Sequence, residues 1–392
     1  MPILGLRGSG NFATNEAPEN WREGILFYYP NGETPLMALA SQGETENIDH
    51  PIIHWWDKAL PVRRIFVNNA AGYSSSATSI VVDDGTTANG SAAAHTHVGT
   101  VLFQERTAER LIVSSYSADT LTVVRGKGAS PAAVMNNDDA MLIIGTSFED
   151  GATAVSGLTY DPVERKNASQ IFMRGVGPLT RRMAKTFVRT GDKFMDMKHD
   201  AWLNISLDLE WSALFGDYLD EAGSSGAVRR SFSGGLYYWA STNVFDAAGT
   251  ISYFGLMDFL EDFFRYGSSE KLLLSGSTAV NVLNKLAKLE MTVNSVPGES
   301  SFGMKIQEIL TPFGYLYLKL HPLLSDHPLF RSWMFGVDLK YFKIAKIDDV
   351  TYIPFADTSN PHRRQDEYYA DMGWIWEIER AHGIFKNMTR VA

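Results

Sequence analysis

Cysteine is absent from all 392 residues, which excludes disulfides, thiolate metal sites and cysteine nucleophiles and fits a reducing compartment. Basic charge is also in short supply. Lys and Arg total 35 against 45 Asp and Glu, a net charge of −10, and that balance argues against a chain whose main task is gripping phosphate backbones. No apolar run is long enough to span a bilayer, and the start MPILGLRGSG lacks the charged head and apolar core of a signal peptide. The expectation is a soluble chain made in a cytoplasm. GxSxG, HExxH and P-loop patterns are missing, so no nucleophile elbow, zinc helix or phosphate cradle is visible. There is no internal repeat, heptad array or long charge run.

What is present is a folded chain, 45% hydrophobic, with enough apolar material for a sizeable core. Its most distinctive stretch runs from Pro178 to about Asp220. Pro178 suits a first helical position, and Leu179, Met183, Phe187, Phe194, Met197, Ala201, Ile205 and Leu209 recur mostly at three- and four-residue steps, with Gly223 as a stop. The spacing predicts one amphipathic helix of roughly 60 Å, the full diameter of a globule of this length. Gly191 is its weak point, because a glycine can split a helix.

On either side the composition changes. Residues 1 to about 50 hold short apolar clusters broken by Pro18, Pro30 and Pro35, a pattern that reads as an arm needing a partner surface. From Val62 to about Asp150 the chain is rich in Gly, Ala, Ser, Thr and Val, with strand patterns at Thr78–Val82, Arg110–Ser114 and Thr120–Val124, which predicts a small all-β insertion. Pro51–Asp57 and Asn167–Val176 flank it as the two legs of a long hairpin, the second running straight into the helix. Beyond Gly223 the pattern predicts a strand at Gly235–Ala240, helices at Ser252–Tyr266 and Ser277–Met291 each opened by serine, and a strand at Lys271–Ser275 between them. Ser301–Ile309 and Tyr315–His321 flank a Thr-Pro-Phe-Gly turn, and Trp333–Ala345 reads as one strand. Gly373–Arg380 and Ile384–Met388 read as a closing hairpin around Ala381-His382-Gly383.

Four segments in this order resemble the major capsid proteins of tailed bacteriophages, whose fold is shared with encapsulin nanocompartments. They are WREGILFYYPNGETPLMALAS (Trp21–Ser41), IIHWWDKALP (Ile52–Pro61), LTVVRGKG (Leu121–Gly128) and WIWEIERAHGIFKNM (Trp374–Met388). The resemblance covers nearly the whole chain and implies an α+β capsid fold. Its parts would be an N-terminal arm (1–50), an extended β-loop (51–177) carrying the insertion at about 62–150, a spine helix (178–222), an axial domain (223–345), and peripheral-domain strands with a C-terminal hairpin (346–392). It further implies a structural protein and not an enzyme, without cofactor or metal, in the virion capsid. Copies would form pentamers and hexamers of an icosahedral head assembled in the host bacterial cytoplasm. Packaged double-stranded DNA would be touched weakly and non-specifically, scaffold, portal or decoration proteins are further partners, and no membrane is involved. An encapsulin compartment, or a carbohydrate-binding or carbohydrate-active protein using the β insertion, is the alternative.

Other motifs carry bland readings. Gly8-Ser9-Gly10-Asn11-Phe12-Ala13 matches GxGxxA, but Pro18 interrupts the helix a dinucleotide site needs. His95 with His97 and His50 with His54 supply two nitrogens each, half of a zinc site, in contexts that favour exposed loops. The acid pairs Asp208 with Glu210, Asp258 with Glu261 and Asp262, and Glu377 with Glu379 are too close in sequence to face one another across a cleft. The predicted long helix carries Arg181, Arg182, Lys185, Arg189 and Lys193 in its first half and acids in its second, against the dipole's preference. That gradient is either an ordinary polar face or a docking surface. Trp55, Trp56, Arg181, Arg182, Lys185 and Arg189 are therefore the candidate subunit-interface residues, with no catalytic, cofactor or metal residue assigned.

Overall fold

The computed structural model describes residue 36 and residues 44–355 and 362–391, apart from 59, 61, 86–90, 153–161, 188–190, 224–227, 291–299, 302–303 and 306. Most of the sequence-predicted arm, including the GxGxxA motif, lies outside the described residues, as does Arg189. The strands in chain order are β1 Thr45–Asn47, β2 Ile52–Asp57, β3 Arg64–Val67, β4 Ser79–Asp83, β5 Thr100–Gln104, β6 Arg110–Ser117, β7 Thr120–Val124 and β8 Ala140–Thr146. There follow β9 Val163–Ala168, β10 Gln170–Thr180, β11 Leu219–Ala222, β12 Arg229–Phe232, β13 Val244–Ile251 and β14 Glu270–Ser275. The last are β15 Ser300–Ser301, β16 Met304–Lys305, β17 Gln307–Leu310, β18 Tyr315–Leu320, β19 Met334–Val337, β20 Phe342–Ile353, β21 Arg363–Trp376 and β22 Gly383–Val391.

The chain divides into two compact units, one of residues 1–55 and 166–392, the other of residues 56–165. The second contains a closed barrel ordered β3-β4-β7-β6-β5-β8. Alternation along its strands turns Ile65, Val67, Ile80, Leu102, Leu111, Val113, Leu121 and Met141 inward, where they form one buried cluster. The interior is therefore filled with side chains. Glu109 is also buried, and it is fully satisfied: Arg125 donates to both its oxygens at 2.9 and 2.6 Å, and the Gly126 and Ala133 amides at 3.1 and 3.0 Å. These bonds hold its pKa below the ordinary carboxylate value although burial pushes the other way. Strand β2 pairs with β9, so the predicted hairpin legs pair through β9 rather than β10.

In the first unit, a four-stranded sheet β1-β20-β21-β10 carries the long helix on one face. Ala201, Ile205 and Leu209 of the helix pack with Phe172, Val176, Tyr368, Ala370, Trp374 and Trp376, each large side chain contributing about 2–3 kcal/mol by removal from water. The helix spans only Lys193–Phe215, 23 residues, or about 35 Å, so the predicted 60 Å helix from Pro178 is corrected. Gly191 stands at φ +92°, a conformation that favours glycine, and Asp192 follows as N-cap, its carboxylate accepting from the Phe194 amide at 2.9 Å. Pro178 sits instead in β10, at a bulge of an edge strand where its missing N–H costs nothing. Of the cations assigned to the helix's first half, Arg181, Arg182 and Lys185 precede it and only Lys193, its first residue, belongs to it, so the expected charge gradient along one helix is corrected.

A six-stranded mixed sheet, β13-β22-β19-β14-β18-β17, forms the second layer system of this unit. Helices Tyr253–Phe264 and Ser277–Glu290 bury Leu256, Phe259, Phe263, Val282, Leu283 and Leu286 against Leu273, Leu316, Leu318, Met334 and Phe385. Ser252 caps the first helix by accepting from the Gly255 amide at 3.1 Å; the second begins at Ser277 itself. Three further expectations are corrected here. Leu236–Trp239 is a short helix and not a strand, stabilised by backbone bonds that return to Gly235. Trp333–Ala345 is broken at Asp338, whose side chain caps the 3-10 turn Leu339–Tyr341, so β19 and β20 enter different sheets. The tail is no hairpin: Ile378 at φ +51° and the 3-10 turn Glu379–Ala381 swing the chain from β21 out to β22, which pairs with β13 and β19.

Candidate subunit-interface surfaces

Five of the six sequence-derived interface residues are described, and their surroundings differ. Trp55 lies against the ring of Trp239 at 5.1 Å and packs on Ile53, Ala345 and Ile375 of its own chain. Its neighbour Trp56, alternating to the opposite side of β2, is 62% exposed. Arg181, Arg182 and Lys185 lie in the turn and 3-10 segment after β10, all exposed. None of the three has an ion pair among the described residues. The same segment leaves Phe187 90% exposed, an apolar ring that one copy leaves in water.

The sheet face opposite the long helix is a second surface that sequence reasoning missed. Alternation along β10 turns Phe172 and Val176 to the helix and Ile171 and Met173 outward, 52% and 55% exposed. Ile171 pairs with Asp371 and Met173 with Tyr369 across the β10–β21 ladder, so the face mixes apolar and acidic groups. The signal that would have found it is the period-2 pattern of Gln170–Val176, which the helix-like spacing farther on obscured.

A third feature ties the arm to the core. Glu210 of the long helix is wholly buried and accepts from His321 Nε2 at 2.8 Å and from the Leu36 amide at 2.9 Å. Leu36, the one described residue before Glu44, is itself buried in the cluster under the helix. The acid pairs resolve into structural roles. Asp208 binds Arg174 at 2.5 and 2.8 Å and raises its pKa, Glu377 binds Lys343 at 2.9 Å, and Glu379 accepts from Ser241 and Thr242. Asp262 and Glu261 are exposed partners of Arg265.

The histidines are structural as well, and the expected exposed loop is corrected for His95 and His97. His95 ends a short helix and meets Asp84 at 3.2 Å, while His97 meets the Thr100 hydroxyl at 2.8 Å; both are half-buried. Among the described residues no group of three His, Asp or Glu can hold a metal, and no helix is long and apolar enough to cross a membrane.

The profile of the SU10 major capsid protein family matches residues 9–389, nearly the whole chain. The chain belongs to this family. Its function follows from that membership: it is a phage major capsid protein, and the encapsulin and carbohydrate alternatives give way. It is similar to the major capsid protein of Pseudomonas phage PaMx41, 22% identical over 340 residues that cover 83% of this chain and 77% of that protein. Among solved structures it is similar to the cyanophage A-1(L) capsid, with TM-score 0.48, 10% identity and 96% and 98% of the two chains covered. The SrpI encapsulin of Synechococcus elongatus gives TM-score 0.42, 11% identity and coverage of 58% and 78%. The functional statement rests on the family, and the mixed α+β architecture is that of this chain's own sheets and helices.

Proposed function

We propose that this capsid subunit assembles into pentamers and hexamers around double-stranded DNA without any chemistry of its own. The observation that supports this reading is the apolar surface left uncovered by one copy, Ile171 and Met173 on the sheet and Phe187 beyond it. A repeating shell buries such surfaces once per subunit, so many modest contacts sum to a strong particle. In this reading residues 1–50 are an arm laid on a neighbour, 51–177 an extended loop with the barrel as its insertion, 223–345 the axial domain, and 346–392 part of the peripheral domain. The net charge of −10 keeps adhesion to the packaged genome weak and non-specific. Scaffold, portal or decoration proteins join the particle, and assembly takes place in the host cytoplasm.

The test is particle size of the purified chain by light scattering, with electron micrographs of large species. Shells, tubes or ring-shaped capsomers are the expected result. A monodisperse monomer across salt and concentration, with and without lysate from infected cells as a source of scaffold, would sink the reading.

A further inference from the structure

The outer face of the sheet β1-β20-β21-β10 carries a charge imbalance that one copy leaves unresolved. Asp348 and Asp371 stand opposite each other across the β20–β21 ladder. Asp371 is only 8% exposed, and its carboxyl takes one hydrogen bond from Ser169. Its Oδ1 is buried with no donor among the described residues, a costly arrangement for a charged group. Burial first, and then the like charge of Asp348, push its pKa up. The two lysines of β20 are committed elsewhere, Lys343 to Glu44 and Glu377, Lys346 to Asp349. Glu367 adds a third acid on the same side of β21, two pairs along the ladder from Tyr369. Beside these acids Ile171 and Met173 are open to solvent.

The complementary set lies at the other end of β10. Arg181, Arg182 and Lys185 are exposed cations without ion pairs among the described residues, and Met183 and Phe187 between and after them are exposed apolar groups. Ten residues of largely extended strand separate Ile171 from Arg181, roughly 30 Å at 3.3 Å per residue, far beyond the reach of a side-chain ion pair. The two sets therefore cannot satisfy each other within one copy.

We propose that the segment Arg181–Phe187 of one copy docks on the outer face of this sheet in a second copy, its cations beside Asp348, Glu367 and Asp371 and its apolar side chains against Ile171 and Met173. This deepens the capsid reading and rests on it. The two patches differ, so the contact is heterologous, and head-to-tail repetition around an axis closes a ring. A cation brought to this face supplies the counter-charge that Asp371 lacks, while Phe187 leaves water.

The test is a charge swap in the full-length chain. One variant reverses the segment (Arg181→Glu, Arg182→Glu, Lys185→Glu), a second reverses the face (Asp348→Lys, Glu367→Lys), and a third combines both. Circular dichroism and thermal melting verify folding, which these largely solvent-accessible positions leave intact. Each single-sided variant is expected to lower the assembled fraction at least tenfold by light scattering, and the combined variant to recover it. Single-sided variants that assemble like wild type would overturn the docking proposal while leaving the capsid reading intact. So would loss of assembly without recovery in the combined variant, or a segment variant that assembles normally but no longer retains added double-stranded DNA. Failure of the wild-type chain to assemble would overturn the capsid reading itself.

Discussion

His382 shows how a single buried group sets a pH limit. Its Nδ1 accepts from the Asp338 amide at 3.3 Å, so the proton sits on Nε2, which faces the Glu377 carbonyl at 3.3 Å. Burial, aided by the positive charge of Lys271 and opposed by Asp338, lowers its pKa from 6.5 to about 4. The unfolded chain therefore takes up a proton near pH 6.5 that the folded chain refuses until about pH 4, and stability is lost as pH falls through that window. Melting temperature is expected to decline from pH 6.5 to 4 in wild type and less steeply in His382→Gln, measured by calorimetry. Lys271 behaves in the same sense at higher pH. Its ammonium donates to the carbonyls of Phe263, Tyr266 and Ala381 at 2.5, 2.8 and 2.7 Å, yet burial lowers its pKa from 10.5 to about 8. The folded chain sheds that proton first, so this residue's contribution rises with pH between about 8 and 10.5. Glu210→Ala strands the buried Leu36 amide and His321 ring and should cost about 1–3 kcal/mol by denaturant titration. None of these roles was legible beforehand, because a charged residue inside an apolar run looks the same whether its partners are water or carbonyls far along the chain.

At the level of elements, the helix after β10 was half legible. The periodicity from Phe194 to Leu209 is real and buries Ala201, Ile205 and Leu209. The same spacing upstream at Met183 and Phe187 marks exposed positions in a turn. Local spacing is blind to which face has something to pack against. Asp192→Ala removes the N-cap and is expected to lower stability by about 1 kcal/mol in thermal melts. In the barrel, strands β4, β6 and β7 fall close to their predicted places because period-2 alternation and Gly-containing turns are local signals. The Glu109–Arg125 pair inside it was invisible. Glu109→Ala leaves a buried guanidinium without its carboxylate, about 3–5 kcal/mol of destabilisation. Hydrogen exchange should accelerate across β3–β8 and stay near wild type in residues 166–392, which form a separate compact unit.

For the whole molecule, the adjacent tryptophans separate folding from assembly. Trp55→Ala opens a gap beside Trp239 and Ile53 and should lower stability by about 2–3 kcal/mol. Trp56→Ala, at an exposed position, should stay within about 0.5 kcal/mol of wild type yet reduce particle yield by light scattering. An unchanged yield would remove Trp56 from the interface. The sequence by itself determined the element types over most of the chain, the β-rich character of the insertion, though not its short helix Ser91–His95, the cap at Ser252 and the resemblance to phage capsid subunits. Those rest on caps, turn residues and periodicities that act within a few residues. Only the tertiary structure decided that β22 joins β13 and leaves β21, that Glu210 meets His321 111 positions away, and that Asp348 faces Asp371. Pairing across such separations is chosen by which surfaces can be buried together, and no local stretch of chain contains that choice.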